Sequence, residues 1–417
     1  MAIQPCPPVR DHPPAGAQRR TLIVLVVAQI LSGAGLAAGV TVGSLLAQDM
    51  LRSTSLAGLP SALGTAGSVL AAVAVGRISQ AHGRRVGLAT GYLAGAVGSA
   101  GVIAAAVADN AILLFAGLFV YGAGMATNLL ARYAGADLAA PERRARALST
   151  VLVATTLGGV VGPNLAAPTG ELALALGVPY LAGPFLLAGA AYALAAVVLT
   201  IWLRPDPLLL ARAAEAHAVP ERAPASGPAK RSGLWLGALV MVLTQLVMVA
   251  VMTMTPVHMH DHGHGTAASG FVIAIHLGAM YLPSPLTGWL VDRFNRLAIA
   301  AAAGLVLPTA GVVAATAPGH AVAPLAVALA LLGLGWNLGL VTGTAMVTDA
   351  APLATRAKTQ GLVDVAIAIA GATGGMASGF VVALAGYPTL ALAGAFLAFA
   401  IIPATIVASR RRRTAAT

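Results

Sequence analysis

Residues 76–85 read GRISQAHGRR, and residues 288–297 read GWLVDRFNRL. The two stretches lie 212 positions apart, and the same step carries Arg84 onto Arg296, Asp137 onto Asp349, Arg144 onto Arg356 and Arg146 onto Lys358. Gly159 and Gly162 fall by it onto Gly371 and Gly374. Polar matches at one offset, separated by long apolar runs, are the trace of a duplicated membrane unit. The register predicts two parallel repeats.

Composition fixes the solvent of those repeats. The chain has 417 residues, 58% of them hydrophobic and 9% charged, with a mean hydropathy of +0.87. A soluble domain carries about 25% charged residues, so this chain cannot clothe a water-facing surface. A bilayer core of ~30 Å takes ~20 helical residues. Apolar runs of that length fall near 21–45, 53–75, 86–107, 110–133, 145–168, 178–203, 233–257, 266–287, 296–316, 321–347, 357–384 and 386–408. The expected fold is an all-α membrane protein of about twelve spans in two six-helix halves. The 48 glycines suit helices whose backbones approach closely. Cys6 is the only cysteine, so no disulfide forms within one chain.

The net charge of +11 is an orientation signal rather than a nucleic-acid patch. With twelve spans, 23 of the 24 Lys and Arg fall on one side of the membrane and only Arg52 on the other. Basic residues accumulate on the cytoplasmic side, which places both termini there, in a plasma membrane. Those residues are spread over many segments, where a nucleic-acid site gathers them on one element. The organisation reads as an N-terminal segment (1–20), a first half (21–203), a proline-rich linker (204–232), a second half (233–408) and a basic tail (409–417). The apolar run from Thr21 is too long for a cleaved signal core and reads as a retained first helix.

On these residues the chain resembles the major facilitator superfamily. Its loop signature G-x-x-x-D-R-x-G-R-R is matched at Gly76, Gly83, Arg84 and Arg85, with Gln80 and Ala81 in place of the acid–base pair. The second copy keeps Gly288, Asp292, Arg293 and Arg296. Gly158, Gly162 and Pro163 in GGVVGP look like the glycine–proline motif of the fifth helix. The resemblance implies that these loops gate the carrier, the acid of the first copy pairing with cytoplasmic arginines to lock the outward-facing state. With Gln80 the first lock lacks its charge and is expected to be weaker; Asp292 and Arg293 supply charge in the other half. The bland alternative is that these residues only anchor topology.

No G-x-x-x-x-G-K-[ST] occurs for an ATP-driven pump, and no catalytic set can be placed in one pocket. The chain reads as a carrier, not an enzyme, with no tightly bound cofactor. Ionisable groups inside spans are costly and usually functional. Only His276 and Asp364 fall well inside the expected limits. Asp364 either carries a coupling proton or pairs with Lys358 or Gln360 to hold a helix end, the second being favoured.

The stretch VMVAVMTMTPVHMHDHGHG, residues 247–265, raises a metal question. Met248 and Met252 share a face of the seventh span, continuing from Met241, and His276 and Met280 share a face of the eighth. Both pairs lie about ten residues from the connecting loop, ~15 Å deep at 1.5 Å per residue. The short loop 258–265 makes the two spans run antiparallel side by side, so four soft donors converge, a set that favours Cu(I). Alternatively the methionines fill packing gaps and His276 bonds a carbonyl. His258, His260, His262 and His264 form a tract fit to collect metal outside the membrane.

These M-x-x-x-M and H-x-x-x-M pairs resemble the CcoA-like bacterial copper importers. That resemblance implies a bacterial inner membrane, Met248, Met252, His276 and Met280 as the metal set, and a copper ion as substrate. Within transport the rival is a drug or small-metabolite efflux carrier, with Gln29, Tyr121, Asn128, Gln245, Trp336 and Asn337 lining its cavity. From another class the rival is a membrane metal sensor. The expected partners are the lipid bilayer and a small-molecule or metal-ion substrate, without nucleic acid, and the expected unit is a monomer.

Overall fold

The computed structural model describes residues 15–51, 59–217, 228–264 and 266–414. Residues 1–14 of the expected N-terminal segment, 218–227 of the linker and the last three residues therefore lie outside the described residues, whereas residues 15–20 already belong to the first helix. Among the described residues the elements are helical, without strand. The first half holds α1 (Ala15–Leu51), α2 (Leu59–His82), α3 (Arg84–Ala108), α4 (Ala111–Ala136), α5 (Arg144–Asn164), α6 (Ala166–Ala175) and α7 (Gly183–Trp202). A short α8 (Pro207–His217) follows in the linker. The second half holds α9 (Pro228–Asp261), α10 (Thr266–Tyr281), α11 (Ser284–Arg293), α12 (Arg296–Thr316), α13 (Val322–Ala350), α14 (Arg356–Phe399) and α15 (Ile401–Thr414).

Local chemistry sets the breaks. Gly83, at φ 91°, ends α2 and opens α3 in a conformation that side chains resist. Asn110 caps α4 by accepting from the Leu113 amide at 3.0 Å, and Asn295 caps α12 from Leu297 at 3.0 Å. Gly386, at φ 81°, bends α14 two residues before Pro388. Ten described helices are long and apolar enough to cross a membrane. The tenth of these runs, Arg356–Arg410, bends at Gly386 into two limbs, the second completed by α15, and α5 stands at the fifth expected span.

Two apolar cores form, one in each half, the second extending across the seam to Ala145, Leu148 and Leu152 of α5. In the first, α1 packs on α5 and α7, and α3 on α4 and α7; in the second, α9 packs on α13 and α14, and α12 on α13. Small residues allow these crossings. A Cβ on Gly122 would lie 2.2 Å from the Gly64 carbonyl oxygen and 2.7 Å from the Ser68 amide, both backbone atoms that cannot yield. Gly122→Ala is therefore expected to cost about 1–3 kcal/mol by overpacking. Thermal unfolding in detergent reads this as a lowered midpoint; an unchanged midpoint refutes the crossing.

The halves meet chiefly where α2 crosses α14 and where α11 crosses α5. The 212-residue step exchanges these two seams, as the repeat requires.

Candidate functional site

At the basic end, the two copies of the loop motif build matching latches. A Cβ on Gly76 would lie 3.0 Å from the Ala357 oxygen and 3.2 Å from the Gly361 Cα. A Cβ on Gly288 would lie 2.4 Å from the Ser149 Oγ and 2.7 Å from the Ala145 oxygen. Close approach there brings the next side chain of each motif onto a helix N-terminus of the opposite half. Asp292 accepts from the Ala145 amide at 3.0 Å and the Arg146 amide at 2.9 Å. Gln80 Oε1 accepts from the symmetry-equivalent amides of Ala357, at 2.8 Å, and Lys358, at 3.4 Å. Free helix amides draw such acceptors.

Gln80 lacks charge, as the sequence says, yet its latch is not the bare contact that the missing charge implied. Its amide nitrogen also donates to the carbonyls of Leu353, at 3.2 Å, and Ala354, at 2.6 Å. A carboxylate has no donor for those bonds.

Behind each latch sits an ion cluster made of residues that the repeat relates. Arg84, 1% exposed, meets Asp137 at 2.7 Å and also donates to Gln360, while Arg356 reaches Asp137 from the other half at 3.9 Å. The counterpart joins Arg296 to Asp349, with Arg144 crossing from the first half at 2.8 Å. Gly83 faces the carboxylate of Asp206, which accepts from the Arg85 amide at 2.7 Å. Arg293 is exposed at the end of α11 and adds nothing to the latch contacts, against its expected role. Gly158 packs on α1, where a Cβ would lie 2.1 Å from the Ile30 oxygen. The side-chain surroundings of Gly162 and Pro163 lie outside the described residues.

One step deeper lies a pair that sequence reasoning missed. Arg132 was expected in a basic loop, and Asp364 beside Lys358 or Gln360. Instead α4 continues to Ala136 and buries Arg132 against the other half. Arg132 Nη2 meets Asp364 Oδ1 at 2.7 Å, Nη1 meets Oδ2 at 3.3 Å, and the two side chains are 1% and 4% exposed. The Tyr133 hydroxyl donates to the same carboxylate at 3.1 Å, and Arg132 Nε donates to Thr344 at 3.2 Å. Lys358 is exposed, and Gln360 is occupied by Arg84 and Thr348. The partners stand 232 residues apart on different repeats, which is why local spacing is silent about them.

The four soft donors are placed differently from the expectation. α9 and α10 do not run side by side: both pack on α13, and their direct contact is slight. Trp336 of α13 stands between them, its indole donating to Gln245 Oε1 at 2.8 Å while Tyr281 meets its ring edge-on at 5.6 Å. His276 is fully buried with Nδ1 on the Leu329 carbonyl at 2.9 Å, and its Nε2 is buried without a hydrogen-bond partner. Met248 and Met280 are buried and Met252 half-buried. Met241 accepts from Thr344, which joins the methionine face to the Arg132 network.

In the outer tract His258 stacks on Tyr387 and lies 4.3 Å from the His262 ring, His264 bonds the Gly319 carbonyl, and His260 is exposed. Among the described residues no three His, Cys, Asp or Glu side chains gather as a metal site. The residues expected to line an organic-molecule cavity make hydrogen bonds of their own. Tyr121 bonds the Gly35 carbonyl, Gln29 and Asn128 bond within the first half, and Asn337 bonds Met280 and Ser284. Gln245 and Trp336 bond each other within the second half.

Comparison with known proteins gives the class of this chain. The profile described as Major Facilitator Superfamily matches residues 21–339, and the chain belongs to that superfamily. It is 55% identical over 399 residues to the uncharacterized MFS-type transporter YdeG of Bacillus subtilis, covering 94% of this chain and 93% of that protein. It is 31% identical over 359 residues to the riboflavin transporter RfnT of Brucella anthropi, covering 84% and 86%. Among solved structures, the human organic anion transporter MFSD10 superposes with a TM-score of 0.77 at 18% identity, over 94% of this chain and all of that one. None of these names a copper carrier.

Proposed function

We propose that the chain is a secondary carrier of a small organic metabolite, working by rocking of its halves about the Arg132–Asp364 pair. By the positive-inside rule the latched basic end is cytoplasmic, so the latched state faces outward. The carrying observation is the bidentate, buried ion pair between α4 and α14. Separating such a pair leaves uncompensated charge at a cost of about 3–5 kcal/mol. The halves therefore part only when something replaces a partner: a proton on Asp364, or an anionic substrate group on Arg132. Trp336 and Tyr281 offer an aromatic face for a planar ring close by. The riboflavin assignment of a relative at 31% identity supports a substrate of that class. Uptake of labelled riboflavin as a first probe, in proteoliposomes with and without a proton gradient, tests the reading; gradient-independent accumulation contradicts it.

A second reading, copper transport in the manner of the CcoA-like importers, rests on the unpartnered Nε2 of His276. Neutral imidazole with thioethers from Met248, Met252 and Met280 is a donor set for Cu(I), with His258, His260, His262 and His264 as an outer collecting tract. The double variant Met248→Ala with Met252→Ala separates the two. Under the metabolite reading probe uptake stays within about twofold and cellular copper is unchanged. Loss of copper gain at unchanged membrane abundance establishes the metal site instead.

A further inference from the structure

Outside the junction, the basic end carries an open cavity of about 580 Å³ lined by Arg77, Gln80, Ala81, Arg212, Ala354 and Lys358. It lies on the α2–α14 seam, so its walls come from both halves, and Arg212 adds a third wall from the linker helix α8. Three cations and no acid line it. Arg212 donates its Nε to the Leu353 carbonyl at 3.4 Å, and its Nη2 is buried without a hydrogen-bond partner.

The repeat makes this charge balance informative. The 212-residue step maps Gln80 onto Asp292, Ala354 onto Glu142, Arg77 onto Trp289, Ala81 onto Arg293 and Lys358 onto Arg146. The second copy thus carries two acids and two bases and is neutral. The first copy has replaced both acids with uncharged residues, kept one base and gained another, before Arg212 is added. Two nearby acids do not restore the balance. Asp206 is engaged on the Arg85 amide, and Glu215 is exposed one turn along α8. An acid at position 80 would repel an anion from this cleft, whereas the Gln80 amide holds the latch without charge. Arg and Lys groups around one cleft are the donors that phosphate oxygens seek.

The geometry points to a regulatory site for a phosphate-bearing anion, which joins both halves and the linker helix and so holds the basic end closed. The anion is either a lipid headgroup from the adjacent leaflet or a soluble phosphate. The site acts on the conformational equilibrium and requires no particular transported substrate.

Reporter cysteines at His82 and Phe294, equivalent positions one in each half, read that equilibrium in a Cys6→Ser background. The protein is reconstituted in phosphatidylcholine, with phosphatidylglycerol added in one arm and pyrophosphate in another. In at least one arm the closed population is expected to rise about tenfold relative to open, and to lose that gain at high salt. Response to phosphatidylglycerol alone assigns the lipid source; response to pyrophosphate alone assigns the soluble one. Arg212→Ala is expected to reduce the response below about twofold, and Arg293→Ala, at the neutral copy, to leave it intact. Gln80→Asp changes the baseline, so its readout is the response ratio, which is expected to fall. A null response in both arms, or a full response in Arg212→Ala and Gln80→Asp, overturns the site.

Discussion

Asp364→Asn is expected to lower gradient-driven uptake about 100-fold. The substitution keeps the shape of the side chain and removes its charge, which leaves the Arg132 guanidinium buried beside Thr344 and Tyr133 without a counter-ion. Breaking one side of a buried pair costs about 3–5 kcal/mol, and each 1.4 kcal/mol is a factor of ten in a population. The amide has no carboxylate to protonate, so the step that frees Arg132 is lost with the charge. Structural damage is distinguished by removing both charges together. Arg132→Met with Asp364→Leu is expected to restore thermal stability to within about 1 kcal/mol of the parent, because apolar replacement of a buried pair is near neutral. Transport stays absent. If the double variant regains uptake, the pair only supports packing.

Gly361→Val has the next largest effect. A Cβ at Gly361 would lie 2.6 Å from the Ala72 carbonyl oxygen, a backbone atom of the opposite half. Inside one half such a clash lowers stability, as argued for Gly122. At the seam the two halves part instead, because separation relieves the clash without unfolding either core. The basic end is therefore expected to open, with a shift of about 5- to 150-fold for an overpacking cost of about 1–3 kcal/mol, and uptake falls while membrane abundance holds. Gly288→Val is expected to behave alike at the second seam, against Ser149 and Ala145. Distances between labels at His82 and Phe294 check both; unchanged distances refute the seam.

What sequence could reveal followed from periodicity and repetition. The offset taken from Gly76 and Gly288 placed Arg84, Asp137, Arg144 and their partners in register, and those residues form the paired clusters at the basic end. A short apolar period likewise put Met248 with Met252, and His276 with Met280, on single faces. Neighbourhood in three dimensions was not legible. A short loop suggested that α9 and α10 touch, but α13 takes the place between them, its Gly333 lying against His276 and Met280 and its Gly339 and Gly343 against Thr244 and Met241. Arg132 looked like a loop cation because its counter-ion lies on the other repeat. Gln80 looked like a weaker latch because a missing charge is visible in a sequence and two carbonyl acceptors are not.

Opening of the basic end with acid tests the central claim most directly. The groups facing Asp364 are Arg132 and Tyr133 of α4, with Arg84 the next charge along. With labels at His82 and Phe294, the parent protein is expected to shift to longer distances as pH falls, because a protonated Asp364 releases Arg132. Asp364→Asn is expected to show the same distances at every pH. If the variant follows the parent's titration, the proton acts elsewhere and the Arg132–Asp364 pair is not the coupling element.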